Sequence, residues 1–318
     1  MSWSSEYRVE RKRKFVEELS NEVARKCSQC FIEQAIKNFH YDRANCKTCD
    51  MRRREIYHNS LMGCLSNMTQ RMRSSALHRK KVGRLQAGIC ELTRDDLLDI
   101  YNKQNGYCYY FKTKKMNFER GSEWMISDER LNNADGYKAG NVVLCCLEFN
   151  NRAQWSLQKI NNIINLRQQD VNVSELEKAL ISYPIKPEYE KARNWRRDTI
   201  RRFIETLYFG SKGNAKKRKG EAGLHELTIE DVIKIAVKQK GRCYYSGIPL
   251  SFQSKSDWQA SLERLIPIKG YIDGNVVLIC LEFNSTITKA AKRKGGIGAQ
   301  WNKDKFQDFL IYLYHPVR

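Results

Sequence analysis

The sequence predicts an α+β chain, mainly helical, with two small strand-bearing modules behind an N-terminal four-cysteine segment. Three observations lead there. Residues 124–150 (WMISDERLNNADGYKAGNVVLCCLEFN) and 258–284 (WQASLERLIPIKGYIDGNVVLICLEFN) align without a gap at an offset of 134. Cys27, Cys30, Cys46 and Cys49 stand as C-x2-C-x15-C-x2-C. Charged stretches with helical patterning fill most of the remainder.

The identity continues upstream. Glu91-Leu92-Thr93 and Gly106-Tyr107-Cys108-Tyr109-Tyr110 match Glu226-Leu227-Thr228 and Gly241-Arg242-Cys243-Tyr244-Tyr245 at an offset of 135. A period above 100 is too long for a solenoid, whose repeats run about 20–50 residues. The chain is therefore divided into 1–60 (basic helix and four cysteines), 61–185 (first repeat unit) and 186–318 (second).

The elements follow in order. Residues 6–27 pattern as a charged amphipathic helix, and 51–88 are basic and partly helical. Thr93 and Thr228 stand before acidic residues, the mark of an N-cap with carboxylates in the first turn. Val142-Val143-Leu144 and Val276-Val277-Leu278 read as short buried strands. Asn150 and Asn284 open the next segment, helical in the first copy and interrupted in the second around Gly295-Gly296. Pro184 and Pro187 bracket a linker, a basic helix follows over 189–209, and 210–223 reads as a Gly/Lys-rich loop.

Charge and cysteine content narrow the function. With 57 Lys+Arg against 36 Asp+Glu, the net charge is +21. That excess calls for a polyanion, and nucleic acid is the expected partner. Arg79, Lys80, Lys81, Lys216, Lys217, Arg218 and Lys219 are candidate phosphate contacts, as are Arg52, Arg53, Arg54, Arg71 and Arg73. Nothing reads as a membrane span or a signal peptide. Eleven cysteines with no secretory signal point to thiols and metal, hence to an intracellular, reducing compartment, cytoplasm or nucleus. The spacing of Cys27, Cys30, Cys46 and Cys49 is that of a structural four-thiolate zinc site, closed and ordering a segment too small for its own core.

The repeated Ser-x-Glu-Arg-Leu, Gly-Tyr, Gly-Asn-Val-Val-Leu-x-Cys and terminal Asn resemble the HNH (ββα-metal) endonucleases of phages and large DNA viruses. They are also similar to phage recombination endonuclease VII. The resemblance implies two tandem ββα-metal modules, a virus-encoded origin, and one Mg²⁺ or Mn²⁺ per module held by an acidic strand residue and a terminal Asn. Carried over, the ligands are Glu129 with Asn150, and Glu263 with Asn284; the central Asn141 and Asn275 tie the hairpin loop. A hard cation suits one carboxylate and one amide oxygen with several waters.

One departure stands out. Where the family carries the His that activates water, this chain has Arg130 and Arg264. Arginine stays protonated, so it clamps phosphate rather than acting as a base. His225, Tyr109, Tyr110, Tyr244, Tyr245 and metal-bound water remain open as alternatives. Cys108 with Cys146, and Cys243 with Cys280, read as buried core thiols, and Trp155 and Trp301 as core.

The expected function is a metal-dependent DNA endonuclease cutting duplex or branched DNA, a monomer acting as a fused dimer, with one or both copies active. The rivals are a non-catalytic nucleic-acid-binding protein on degenerate HNH modules, and a regulator whose zinc segment carries specificity.

Overall fold

The computed structural model describes residues 5–21, 23–151, 153–174, 177, 200–285, 291, 293 and 297–315. The expected linker at Pro184 and Pro187, the start of the basic helix over 189–199, and the glycine interruption of copy two lie outside them. The architecture is α+β, with two-stranded antiparallel sheets among helices. It falls into two compact units, Met1–Asn67 and Met68–Arg318. Both repeat copies therefore sit in one unit. Among the described residues no helix is long and apolar enough to cross a membrane.

In the first unit, α1 (Ser5–Ser20) precedes a short hairpin, β1 (Ala24–Lys26) with β2 (Glu33–Ala35), and then α2 (Lys47–His58). The expected helix over 6–27 thus ends early, where the chain turns into β1. Cys27, Ile36, Phe39 and Cys46 form a small core with Phe15, Cys30 and Cys49 against it. Four buried side chains are too few to stabilise so short a segment unaided.

The second unit opens with the C-terminal part of α3 (Leu61–Lys81). Each copy is then built alike. A helix, α4 (Arg94–Lys103), starts at a capping box in which the Thr93 hydroxyl accepts from Asp96 N and the Asp96 carboxylate accepts from Thr93 N. In copy two Thr228 and Asp231 repeat this ahead of α7 (Ile229–Lys238). The capping threonines match the sequence expectation. Next come β3 (Ile126–Arg130) and β4 (Val142–Cys146), paired Glu129 to Val143, and in copy two β5 (Ala260–Arg264) and β6 (Val276–Cys280), paired Glu263 to Val277. Every residue of β4 and β6 is buried, as continuous apolar runs require. The helix satisfies the strand's outer edge through one side chain. Gln104 gives its amide to Leu144 O at 2.7 Å and accepts from Leu144 N at 2.9 Å, and Gln239 does the same for Leu278 at 2.8 Å both ways.

After β4 and β6 the chain makes a 3-10 turn, Leu147–Phe149 and Leu281–Phe283. The helices follow later than expected: α5 (Leu157–Gln168) is capped by Ser156, and α8 (Lys303–Tyr314) by Asn302. Asn150 and Asn284 end the 3-10 turns and open no helix. Between the copies, α6 (Ile200–Ala215) runs through Gly210 and Gly213, so half of the expected 210–223 loop is helix. Two glycines were read as breakers, but the amphipathic face that buries Phe203, Ile204, Ser211 and Ala215 outweighs their cost of about 1 kcal/mol each.

The helix after each copy packs on the other copy. Lys159 of α5 lies 2.8 Å from Glu282, and Lys305 of α8 lies 2.7 Å from Glu148. Trp155 meets Trp258 at 5.8 Å, and Trp301 meets Trp124 at 5.8 Å, with Phe149, Phe283 and Phe309 packed between. Glu148 and Glu282 also accept the backbone N–H of Trp124 and Trp258 at 2.8 and 3.0 Å. Both tryptophans hold positive φ (56° and 57°), a conformation that L-residues occupy only when their surroundings impose it. Trp155 and Trp301 are core, as expected.

Candidate functional site

The four thiols of the first unit come together: the Sγ atoms of Cys27, Cys30, Cys46 and Cys49 all lie within 4.8 Å of one another. Tetrahedral zinc with Zn–S near 2.3 Å sets its sulfurs about 3.8 Å apart, so the cluster fits with a slight contraction. The backbone supports charge on the sulfurs. Cys27 Sγ accepts from Gln29 N at 3.4 Å and Cys46 N at 3.3 Å, and Cys46 Sγ accepts from Cys49 N at 3.4 Å. Backbone donors, that of Cys30 foremost, hold the Cys27 thiol down at about 6. Its neighbours, Cys46 foremost, push the Cys49 thiol up to about 12. One thiolate therefore forms easily and resists the last, an imbalance that a divalent cation removes. The cluster could hold a metal such as zinc. Beneath it, buried Asp50 is ion-paired with Arg43, Arg53 and Arg54. Arg53 and Arg54, expected as phosphate contacts, neutralise this carboxylate.

The second unit carries the repeated constellation. Glu129 and Glu263 occupy the same place on β3 and β5. Burial, with Asp128 beside it, pushes the Glu129 carboxyl up to about 8. Burial pushes Glu263 up to about 7, opposed by the backbone N–H and guanidinium of Arg264 and by the amide of Gln300 at 3.1 Å. Asn150 gives its amide hydrogens to Ser127 Oγ at 2.8 Å and Asp128 O at 2.6 Å. Asn284 gives its own to Ser261 Oγ at 2.8 Å and Leu262 O at 3.2 Å. Each asparagine is thus fixed to the strand that carries the glutamate, and its oxygen is the atom left to accept or ligate. Capping a helix is not its role.

Asn141 and Asn275 tie the connection between strands. Asn141 donates to Asn132 O and Gly136 O and accepts from Asn132 N; Asn275 repeats this with Ile266 and Gly270. This is the loop-holding role expected for them. Gly136 and Gly270 lie so close to Ile89 O and Leu224 O that an added Cβ would sit at 2.4 and 2.2 Å.

Arg130 and Arg264 are placed differently from expectation. Arg130 donates to Asn133 O, Asp135 O and Asn133 Oδ1, and Arg264 to Pro267 O and Lys269 O. Their guanidiniums brace the same loop from the other side, and their hydrogens are largely committed to it. His225 bonds Ser211 Oγ at 2.8 Å and packs on Tyr208 and Tyr271, with burial lowering its pKa. Tyr110 is buried and donates to Trp155 O at 3.0 Å, a core position. Cys108 and Cys243 are buried thiols accepting from Cys146 N and Cys280 N, as expected of core cysteines. Lys80, Lys81, Lys216, Lys217 and Lys219 are exposed, whereas Arg79 and Arg218 are half-buried and turn inward.

A cleft of about 920 Å³ is lined in copy two by Glu263, Asn284, Arg218, Arg264 and Tyr271, and from copy one by Asn150. Among the described residues no cluster of three or more His, Cys, Asp or Glu side chains other than the four thiols gathers for a metal. A cation on Glu129 or Glu263 would therefore rest on one carboxylate, an amide oxygen and waters. Sequence reasoning missed Glu148 and Glu282, which build the contact between copies; their signal was the Glu-Phe-Asn kept in both. No protein-family model, curated protein or solved structure matches this chain.

Proposed function

We propose that the chain is a metal-dependent DNA endonuclease with two HNH-like sites, Glu129 with Asn150 and Glu263 with Asn284. The observation that carries this reading is a doubled one. In each copy a buried glutamate on the first strand and an asparagine pinned to that strand leave oxygens and no nitrogens to face a ligand. That donor set suits Mg²⁺ or Mn²⁺, which when bound would stabilise charge on the phosphate and leaving oxygen. The chain's own part is to hold the phosphodiester against those oxygens and to keep the site dry. The net charge of +21 supplies the pull on DNA. Duplex or branched DNA is the substrate class, and four thiolates on zinc would order the N-terminal unit.

A second reading, a nucleic-acid binder without catalysis, is favoured by one observation: Arg130 and Arg264 stand at the position of the water-activating His and are spent on the loop. Cleavage of supercoiled plasmid and of a four-way junction, with Mg²⁺, with Mn²⁺ and with chelator, separates the two. Metal-dependent nicking or linearisation that Glu129→Ala/Glu263→Ala abolishes supports the endonuclease. Tight, salt-sensitive binding with no cleavage in any metal supports the binder.

A further inference from the structure

Arg79 and Arg218 come from segments that the repeat does not align. Arg79 stands 14 residues before Thr93 near the end of α3, and Arg218 stands 10 residues before Thr228, just beyond α6. Yet they reach the same place in their copies. Arg79 and Arg130 lie over the ring of Tyr137, at 5.2 and 5.3 Å from its centroid. Arg218 and Arg264 lie over the ring of Tyr271, both at 5.5 Å.

Two cations held on one ring repel each other, and each presses down the basicity of its neighbour's guanidinium. In both copies the inner arginine also has a buried Nη1 with no hydrogen-bond partner among the described residues. A buried N–H of a cation left unpaired is costly, and native structures rarely keep one without reason. Neither arginine makes an ion pair with Glu129 or Glu263, although Arg218 is near enough to pull the Glu263 carboxyl down. Arg218 and Glu263 line the same cleft. What is missing, twice, is an anion.

We infer that Arg79 and Arg218 form a phosphate seat in each copy, with Tyr137 or Tyr271 as its floor and Arg130 or Arg264 as its fixed second cation. The ligand class is the phosphodiester oxygen of a nucleic-acid backbone, and the inner arginine supplies the donors because the outer one is spent on the loop. A guanidinium suits this work better than an ammonium, since its planar fork stacks on an aromatic face and still donates at its edge. The inference rests on the nucleic-acid reading for the identity of the polyanion, but it does not need the sites to cut.

The test uses the full chain in chelator, so that binding is read without turnover. Affinity for a short DNA duplex is measured against salt for the wild type, for Arg79→Gln, for Arg218→Gln and for both together. Each substitution should loosen binding about tenfold and lower the salt slope by about 0.9, the value of one phosphate contact. Tyr137→Phe, which removes the phenol that Arg79 reaches at 3.4 Å, should leave the slope unchanged. A second readout guards against misfolding: inorganic phosphate should raise the melting temperature of the wild type and not that of the double variant, each compared with itself without phosphate. A wild-type salt slope and a wild-type phosphate shift in the double variant would overturn the seat. If Glu129→Ala/Glu263→Ala leaves cleavage intact while the arginine variants still lose slope, the catalytic assignment fails and the phosphate seat stands.

Discussion

A glutamate buried on a strand with no cation beside it is a poor anion. Glu129 keeps its proton to about pH 8 and Glu263 to about 7, against an ordinary value of 4.5. The native state therefore binds more protons than the unfolded chain between these limits, and stability falls as pH rises through that window. In metal-free protein, the urea midpoint should decline from about pH 4.5 to about 8, and Glu129→Gln/Glu263→Gln should flatten that decline. Millimolar Mg²⁺ should offset it in the wild type and have no such effect in the double variant. A wild-type midpoint flat over that range would contradict the burial of these carboxyls. The residues were legible because both copies keep them at one spacing. Their protonation was not, since a sequence carries no measure of how deeply a strand is covered.

At the scale of elements, composition spoke clearly where one local force decides. Thr93 and Thr228 cap helices because a hydroxyl followed by an acid three residues on satisfies two backbone donors. The strands Val142–Cys146 and Val276–Cys280 are unbroken apolar runs. The start of α5 was misplaced because Asn150 and Ser156 are both good caps, and tertiary bonds from Asn150 to Ser127 and Asp128 take its side chain away. In the first unit the elements depend on the thiols, since β1, β2 and α2 meet mainly at Cys27, Cys30, Cys46 and Cys49. Removal of metal by a strong chelator, or Cys27→Ser, should abolish amide-exchange protection over residues 24–58 while protection of α4 and α7 persists. Retained protection over 24–58 in the metal-stripped protein would show that the hairpin folds without a cation.

The second unit as a whole is held by reciprocal contacts between copies. Lys305 is buried with Glu148, and Trp301 gives its indole N–H to Glu148 O at 2.8 Å. Breaking a buried ion pair from one side leaves an uncompensated charge, so Lys305→Ala should cost about 3–5 kcal/mol by urea unfolding. Lys305→Met with Glu148→Leu should recover much of that. Trp301→Ala should cost about 3–5 kcal/mol through its cavity. Losses under about 1 kcal/mol in all three would mean that the helices do not hold the copies. None of this exchange was legible beforehand. The repeat announces two like units, but whether a following helix folds back on its own copy or crosses to the other depends on geometry that the alignment does not encode.

That crossing has a genetic consequence. Duplicated genes ordinarily free one copy to decay, because the other suffices. Here neither half is whole without the other: the tryptophan and lysine that complete one copy are written after the other. A stop codon or deletion that removes the second half would strip the first of its covering helix and strand Glu148 in an open core. The two halves can diverge in what they touch, but they are bound to be inherited together.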